Sequence, residues 1–164
     1  MTRIVVTDAN IFIDLIKADM INLLFSTDME ILTTHLVLRE LYQEQQDLLK
    51  EYITAGSLHV SYPEESSEAL FFNRSFTSED ISLMTLAFQQ KAILLSGERL
   101  MIKWCRDHYL EGHGIIWLFQ QLIDQSLIPA NLAADKLEFL LEENERLPLT
   151  ICQERILLWR DELY

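Results

Sequence analysis

The sequence predicts an α/β sandwich with a mainly parallel central sheet. Short runs of apolar residues alternate with longer segments whose apolar residues recur at helical spacing. The first short run consists almost entirely of isoleucine and valine, which is typical of a central parallel strand covered on both faces. The chain has 164 residues, of which 49% are hydrophobic, so it can form a substantial core. We therefore expect one domain over residues 1–164.

The order of the predicted elements follows from this alternation. Strands are expected at residues 3–7, 30–33, 58–61, 92–95 and 107–110. Helices are expected at residues 10–17, 20–25, 35–55, 64–72, 78–90, 98–106, 115–125, 130–144 and 151–163. Thr34 and Ser78 are expected to cap the helices that follow them, and Gly56 is expected to end the long third helix. Residues 127–164 are expected to form a helical extension that packs on the same core.

The charge balance limits the partners that the protein can bind. The sequence has 13 Lys and Arg residues against 26 Asp and Glu residues, which gives a net charge of −13. A surface of this kind does not attract polyanions as a whole, so nucleic acid would need a local basic patch or a cation at the site. A basic protein partner is the other class that this charge favours.

The sequence also predicts a soluble cytoplasmic protein. No apolar run approaches the ~18 residues of a membrane-spanning helix. The N-terminal stretch "MTRIVV" lacks the layout of a signal peptide. Cys105 and Cys152 lie in amphipathic helical segments, and we expect them to be small core residues and not a disulfide.

Acidic residues recur where a predicted strand has just ended or the next helix begins. Asp8 follows the first strand, Glu40 lies early in the helix after the second, Asp80 lies in the first turn of a later helix, and Glu98 follows the fourth strand. Ligands of open parallel sheets bind outside the carboxyl ends of the strands. We therefore expect Asp8, which has no evident partner nearby in the chain, to meet the other three acids at one edge.

Each of these acids also has a purely structural interpretation. Asp8 can cap the helix that follows it, Glu79 and Asp80 can serve the helix dipole, and Glu40 or Glu98 can be a solvated helix residue. Their joint positions favour a cluster. Clustered carboxylates repel one another, so the arrangement favours a shared cation, and all-oxygen ligands suit Mg²⁺ or Mn²⁺. A metal held in this way can promote phosphodiester hydrolysis.

Four segments, taken in order, resemble a known family. The segments "TDANIFIDL", "LVLREL", "TSEDISLMTLA" and "LLSGERL" are similar to motifs of the PIN-domain family of metal-dependent ribonucleases, which includes the toxin components of bacterial toxin–antitoxin pairs. The resemblance covers roughly residues 3–125. It implies a three-layer α/β/α sandwich that cleaves RNA with Mg²⁺ or Mn²⁺. It also implies two protein partners, an antitoxin that blocks the acidic site, often with an arginine, and a second copy in a homodimer.

The resemblance assigns roles to particular residues. It implies that Asp8, Glu40, Asp80 and Glu98 are catalytic. Of these, Asp8, Asp80 and Glu98 would bind the metal, and Asn10 and Ser96 would support them. Two positions depart from the family pattern, because Glu98 stands where aspartate is more usual and Ser96 replaces the more frequent threonine. The glutamate carries its carboxylate about one methylene farther from the backbone.

A basic stripe begins next to Glu98. Arg99, Lys103 and Arg106 are spaced to share one helix face, which makes them a candidate track for RNA phosphates or, equally, a solvated face. Trp104 beside them can stack on a base or pack in the core. Asp14 is expected to pair with a cation or face water. The four histidines are expected to be structural or surface residues: His35, His59, His108 and His113.

Two other functions compete with a nuclease. The first is a PIN-like scaffold with a weakened site that binds protein or RNA, which the charge of −13 and Glu98 motivate. The second is a phosphatase of the haloacid dehalogenase type, which also places an acid at the end of a strand. That family requires a second aspartate two residues after the first, and Asn10 stands there, so the sequence disfavours it.

Overall fold

A computed structural model describes residues 2–64 and 75–161 of the chain. The strands of this part are β1 (Ile4–Thr7), β2 (Glu30–Thr34), β3 (Leu58–Ser61), β4 (Ile93–Leu95) and β5 (Gly112–His113). The helices of this part are α1 (Ala9–Lys17), α2 (Ile21–Leu24), α3 (His35–Arg39), α4 (Gln43–Thr54), α5 (Ser78–Gln90), α6 (Arg99–Asp107), α7 (Ile115–Asp124), α8 (Ala130–Glu143) and α9 (Leu149–Asp161). The predicted α/β class with a parallel sheet is confirmed.

The five strands form one parallel sheet in the order β3-β2-β1-β4-β5. Val6 pairs with Leu32 of β2 on one side and with Leu94 of β4 on the other. Val5 and Val6 are fully buried, as the run of β-branched residues predicted for a central strand. The chain winds outward from β1 in one direction and then from β4 in the other, so the topological switch point lies between β1 and β4. Ligands of such sheets bind at this point.

The C-terminal helices share their core with α7. Buried residues of α7 recur at the spacing of one helix face: Ile115, Leu118, Phe119 and Leu122. Trp159 of α9 is fully buried, its ring centroid lies 6.2 Å from that of Phe119, and its Nε1 donates to the Gln120 Oε1 at 3.0 Å. Truncation of a buried tryptophan costs about 3–5 kcal/mol, so α9 contributes directly to the stability of the whole core.

The predicted helix over residues 35–55 is wrong, because two helices occupy this segment. Thr34 caps α3 as predicted, since its hydroxyl accepts a hydrogen bond from the Val37 N–H at 3.2 Å. The backbone is extended at Tyr42, whose N–H donates to the Gln45 side chain at 2.9 Å and so begins α4. Gly56 adopts φ +79° directly after this helix, as expected for a glycine that ends one.

The predicted fifth strand at residues 107–110 is also wrong. Helix α6 continues through Asp107, and Tyr109 adopts φ +60°, which turns the chain before β5 begins at Gly112. A Cβ atom at Gly112 would lie 3.1 Å from the Cβ of Cys105 and equally close to the α6 backbone. The fifth strand therefore forms where a glycine allows close contact with α6.

Three smaller expectations have different outcomes. Thr77, and not Ser78, caps α5, because the Thr77 hydroxyl accepts a hydrogen bond from the Asp80 N–H at 3.1 Å. The predicted helix 64–72 falls outside the described residues from position 65 onward. Cys105 and Cys152 are buried free thiols, as predicted, and burial raises their pKa values to about 12 and about 11. Within residues 2–64 and 75–161, no helix has the length and apolar character needed to cross a membrane.

Candidate active site

Asp8 lies at the carboxyl end of β1 and is the N-cap of α1. Its Oδ1 accepts a hydrogen bond from the backbone N–H of Ile11 at 3.0 Å. Its Oδ2 accepts one from the Ser96 hydroxyl at 2.7 Å and one from the Gly97 N–H at 3.2 Å. Asp8 therefore caps α1, in agreement with its structural interpretation, and its other two partners come from a distant part of the chain. We call Asp8, Ser96 and Gly97 the anchored corner, which joins β1 to β4 at the switch point.

Burial dominates the electrostatics of Asp8. Only 6% of the residue is exposed, and this burial raises the pKa of its carboxyl to about 6. Hydrogen bonds from Ser96, Ile11 and Gly97 lower the pKa, and the negative charge of Glu98 raises it. The carboxylate form is therefore destabilised in the folded protein and would gain from a nearby positive charge.

Ser96 connects Asp8 to Glu98. It is fully buried, and its hydroxyl both donates to Asp8 and accepts from the Glu98 N–H at 2.9 Å. Glu98 itself is the N-cap residue of α6, but its side chain makes no capping hydrogen bond. One buried hydroxyl thus orients a carboxylate and the backbone of the next acid at the same time.

Glu40 lies at the same end of the sheet as the other acids and within electrostatic range of them. It follows α3 directly, and its side chain is exposed along part of its surface. Burial raises the pKa of its carboxyl to about 7, with further increases from the charges of Glu79, Asp80, Asp8 and Glu98, in that order. Five carboxylates therefore lie close enough to interact. We call Glu40, Glu79, Asp80 and Glu98 the acidic rim.

Asp80 has a structural role in addition to its place in the acidic rim. It lies in the first turn of α5, where its Oδ2 accepts a hydrogen bond from the Thr77 N–H at 3.2 Å. With the reciprocal bond to the Thr77 hydroxyl, this contact forms a capping box. The contacts of Asp80 in this structure are thus those of a residue that stabilises the start of a helix.

Glu98 and Asn10 share an arginine that the sequence analysis did not assign. Arg146 follows α8, its Nη1 lies 3.5 Å from the Glu98 Oε1, and its Nη2 donates to the Asn10 Oδ1 at 2.8 Å. The side chains of Arg146 and Glu98 are 63% and 47% exposed, so the ion pair is weak. One end of the acidic rim is therefore partly neutralised by the C-terminal region of the chain.

The carboxylates supply the right donors for a hard divalent cation, but they are not gathered around one point. In the described part of the chain, no group of three or more Asp, Glu, His or Cys side chains is arranged to hold a metal ion. Asp80 and Glu98 have competing partners in Thr77 and Arg146. These all-oxygen donors nevertheless fit Mg²⁺ or Mn²⁺. Burial and, to a lesser extent, excess negative charge raise the pKa values of Asp8 and Glu40, and either ion would offset that charge.

Asp14 does not face water, contrary to expectation. It is 5% exposed, and both of its carboxylate oxygens accept hydrogen bonds from the Asn144 Nδ2, at 3.1 and 3.2 Å. Burial raises the pKa of Asp14, while the Asn144 hydrogen bond and the charges of Lys17 and Arg146 lower it. Its main contact is thus an amide that ties α1 to the end of α8.

The predicted basic stripe divides into two parts. Arg99 and Arg106 line a cavity beside the anchored corner, whereas Lys103 forms an ion pair with Asp107 at 3.2 Å and does not line it. Trp104 is 7% exposed and its ring stacks on that of His108, with centroids 4.4 Å apart, so it belongs to the core. Two of the three predicted cationic side chains therefore line the cavity.

The four histidines, which the sequence analysis assigned to structural or surface positions, occupy separate surroundings. His35 stacks on Tyr62, and His59 lies 3.9 Å from Glu30. His108 bonds to the Trp104 carbonyl through Nδ1 at 2.8 Å. His113 stacks on Trp117, with centroids 4.6 Å apart, and lines the cavity. A catalytic imidazole is not evident among them, but His113 borders the candidate site.

Two residues of the site were missed for different reasons. Glu79 was interpreted only as a helix-dipole residue, although it adjoins Asp80 in "TSED" and contributes the largest neighbouring charge at Glu40. Arg146 has no local signal, because 136 positions separate it from the Asn10 that it contacts. Its position depends on how α8 and α9 pack against α1 and α7.

Comparison with known families agrees with this architecture. A family model described as a PIN domain matches residues 4–161, which run from β1 to the end of α9. A search of curated proteins found no significant match. The family match extends beyond residue 125, where the sequence resemblance ended, and includes the segment that supplies Arg146. Since the match covers nearly the whole chain, the protein belongs to the PIN-domain family, whose fold is of the nuclease type.

Proposed function

We propose that the protein is a Mg²⁺- or Mn²⁺-dependent endoribonuclease that hydrolyses RNA phosphodiester bonds. The observation that carries this proposal is the position of four other carboxylates within electrostatic range of Glu40, one of them the buried Asp8 at the carboxyl end of β1. Partial burial and these neighbouring charges raise the pKa of Glu40 to about 7. A fold gains no stability from concentrating like charges, so the arrangement favours a site that works with a bound cation. Membership of a family with a nuclease-type fold supports RNA as the substrate.

The anchored corner and the acidic rim would both supply ligands to the ion. Asp8, Asp80 and Glu98 are the proposed ligands, and Ser96 orients Asp8 through its 2.7 Å hydrogen bond. When bound, the ion would supply positive charge that offsets the charge developing on the phosphate, and it would favour the ionisation of water. Asn10 supports the site by holding Arg146 beside Glu98.

Glu40 is the proposed general base. In the metal-free protein the pKa of Glu40 is raised to about 7, and a bound cation would lower it, so Glu40 would be a carboxylate at neutral pH that can accept a proton. In this step the water oxygen bonds to phosphorus, the water proton passes to Glu40, and the bond from phosphorus to the leaving ribose oxygen breaks. The leaving oxygen takes a proton from solvent.

A cleavage assay with matched aspartate variants tests the proposal. The protein is incubated with labelled RNA and Mg²⁺ or Mn²⁺, beside Asp8→Asn and the control Asp107→Asn, whose residue is exposed and pairs with Lys103. We expect cleavage that EDTA abolishes, that Asp107→Asn retains, and that Asp8→Asn loses by more than the ~10–100-fold typical of second-shell changes. Cleavage that resists EDTA and is equal in all three proteins would rule the proposal out.

A second candidate function is a PIN-like scaffold that binds protein or RNA without cleavage. It is favoured by the absence, among the described residues, of a preassembled metal-ligand group and by the pairing of Glu98 with Arg146. Thermal melting with and without Mn²⁺ separates the two. The nuclease predicts stabilisation by Mn²⁺ that Asp8→Asn removes, and the scaffold predicts no change in either protein.

A toxin role is the finer form of the nuclease proposal. The family resemblance implies an antitoxin that presents an arginine to the acidic site, and the contact between Arg146 and Glu98 supports the chemistry of such a pairing. Controlled expression in bacteria would test it. Growth arrest by the native protein, with normal growth on Asp8→Asn, is expected. Normal growth on a protein that cleaves RNA in vitro would contradict the toxin role and leave the nuclease intact.

A further inference from the structure

A cavity of about 480 Å³ opens beside the anchored corner. Its lining includes Asn10, Ser96 and Gly97, so it begins next to Asp8 and extends toward α6, α7 and the start of α9. Its volume lies within the range of small-ligand pockets. A ligand in this cavity would therefore be adjacent to whatever reacts at the carboxylates.

The cavity concentrates positive charge in an acidic protein. Its lining includes four arginines, Arg99, Arg106, Arg146 and Arg155, and we call it the arginine pocket. The whole sequence has 13 Lys and Arg residues against 26 acids, yet among the described residues Asp14 is the one acid in this lining. That carboxylate is already engaged with Asn144. The pocket therefore has the local basic character that anion binding requires in a chain of this charge.

Two of these arginines have unused hydrogen-bonding capacity. Within the described part of the chain, Arg99 and Arg106 have neither an ion pair nor a side-chain hydrogen bond. By contrast, Arg155 donates to Gln120 at 3.3 Å, and Lys103 on the same helix pairs with Asp107. A guanidinium without a partner can bind a phosphate through two parallel N–H donors.

The remaining lining suits the rest of a nucleotide. His113, held parallel to Trp117 with an interplanar angle of 3°, brings an aromatic ring to the cavity. Apolar side chains complete the wall: Ile102, Ile115, Ile116, Leu147 and Ile151. Helix α7 also begins here, at Gly114, without a side-chain cap, so its first N–H groups add to the positive potential. A base can stack on the aromatic ring while its phosphate meets the arginines.

We propose that the arginine pocket binds one nucleotide of single-stranded RNA next to the bond that is cleaved. This inference rests on the proposed ribonuclease function for its biological meaning, but the binding itself needs no metal and no chemistry. Arg99 and Arg106 bind the phosphate of that nucleotide, and His113 with the apolar wall receives its base. The pocket thereby fixes the position of the strand relative to Asp8.

Fluorescence anisotropy in EDTA tests the pocket without cleavage. A labelled four-nucleotide RNA is titrated with the full-length protein, with the double variant Arg99→Gln/Arg106→Gln, and with the control Lys103→Gln on the same helix. We expect the double variant to weaken binding at least about tenfold and to reduce the slope of log Kd against log salt by about 1.4, the value for two lost contacts to a single strand. Lys103→Gln should stay within about twofold, because it lies outside the pocket.

Three results would overturn the proposal, in addition to normal RNA binding by the double variant. They are the absence of binding by the native protein, an equal loss in Lys103→Gln, and equally tight binding of a polyglutamate peptide, which would indicate a site for acidic protein. The two proposals fail separately. If the double variant binds and cleaves RNA normally, the pocket proposal fails and the nuclease proposal stands. If the double variant loses RNA binding but cleavage needs no metal, the metal-dependent nuclease proposal fails and the pocket proposal stands.

Discussion

The anchored corner and the acidic rim lie side by side, yet they are built in opposite ways. In the corner, Asp8 is 6% exposed and accepts three hydrogen bonds that join β1, α1 and the segment after β4. In the rim, Glu40 is exposed, Asp80 is occupied by a capping box, and Glu98 makes a weak ion pair. The corner is fixed by folding of the sheet, and the rim is fixed by nothing stronger than surface contacts.

This difference indicates how a charged site can form at low cost. A buried and hydrogen-bonded carboxylate holds one part of the site in a fixed position, since that position changes only if the sheet changes. The exposed carboxylates around Asp8 stay hydrated until a ligand displaces the water. Water and dissolved ions therefore partly screen the repulsion between them. We expect loss of a corner contact to change the activity more than loss of the Glu79 charge from the rim.

Among changes that leave the proposed metal ligands in place, the largest effect is expected when the corner loses its buried hydroxyl. Ser96→Ala removes the donor to Asp8 at 2.7 Å and the acceptor of the Glu98 N–H at 2.9 Å. Because the Ser96 hydrogen bond is the strongest influence that lowers the pKa of Asp8, this pKa should rise further. Cleavage at pH 7 should fall by about 10–100-fold, and the pH of half-maximal rate should increase.

A pH–rate profile for Ser96→Ala, Ser96→Thr and the native protein checks this prediction. Ser96→Thr is the matched control, because it keeps the hydroxyl and is the residue that the family motif more often carries. It should retain most of the rate and the native pH dependence. An unchanged profile in Ser96→Ala would show that the hydroxyl does not control Asp8.

The next effect concerns stability of the metal-free protein. Burial raises the pKa of Asp8 from 3.8 to about 6, so between these values the folded state holds a proton that the unfolded chain has released. Stability therefore falls as pH rises through this window, and the contribution of Asp8 is fully present only below about pH 4. The loss should approach ~3 kcal/mol at most, from the shift of about two pKa units.

Thermal or urea unfolding in EDTA between pH 4 and 7.5 measures this loss. Asp8→Asn cannot titrate at this position, so the free energy of unfolding should fall less with pH in that variant than in the native protein. Asp107→Asn, an exposed aspartate on α6, should follow the native curve. Parallel curves for the native protein and Asp8→Asn would show that Asp8 is ionised at a normal pKa.

The fold could be predicted from the sequence better than the contacts of the site. Parallel strands were evident because a run of β-branched residues such as that of β1 is typical of a buried strand. The contact of Asp8 with Ser96 could not be predicted, because it depends on the pairing of β1 with β4. The break between α3 and α4 was not evident, because "RELYQ" contains neither glycine nor proline and its apolar spacing continues. The two-residue β5 was hidden for a similar reason, since contact with α6 determines it.

Long-range contacts account for what the sequence could not predict about the site. Arg146 reaches Glu98 only because α8 and α9 pack on α7, and no periodicity in the sequence reports that geometry. The occupied state of Asp80 could have been anticipated, since Thr77 and Asp80 have the spacing of a capping box. Local patterns therefore identify acids at strand ends, and tertiary packing decides which other side chains accompany them.

A smaller effect is expected within the rim when one charge is removed. Burial is the main cause of the raised pKa of Glu40, and Glu79 has the largest effect among the neighbouring charges. Glu79→Gln should therefore lower the pKa of Glu40, by at most about one unit for a pair near the surface. NMR titration of side-chain carboxyl carbons in the metal-free protein measures the shift. Glu44→Gln, which removes an exposed acid from the first turn of α4, should leave it unchanged.

The smallest effect, and the one that separates the rim from the arginine pocket most clearly, is expected for Arg146→Gln. Arg146 belongs to both, since it pairs with Glu98 and also lines the cavity. Its loss frees the Glu98 carboxylate and makes the rim more negative, so Mn²⁺ should bind up to about fivefold more tightly, the range of an exposed ion pair. The same loss should weaken metal-free binding of a short RNA, because the pocket has one cation fewer.

Calorimetric titration with Mn²⁺ and anisotropy with RNA measure the two changes on one variant. Arg160→Gln, which breaks the pairs of α9 with Asp135 and Glu138, is the matched control and should alter neither. Weaker Mn²⁺ binding in Arg146→Gln would mean that Arg146 positions Glu98 for the ion, and the rim would then be part of the fixed structure of the site.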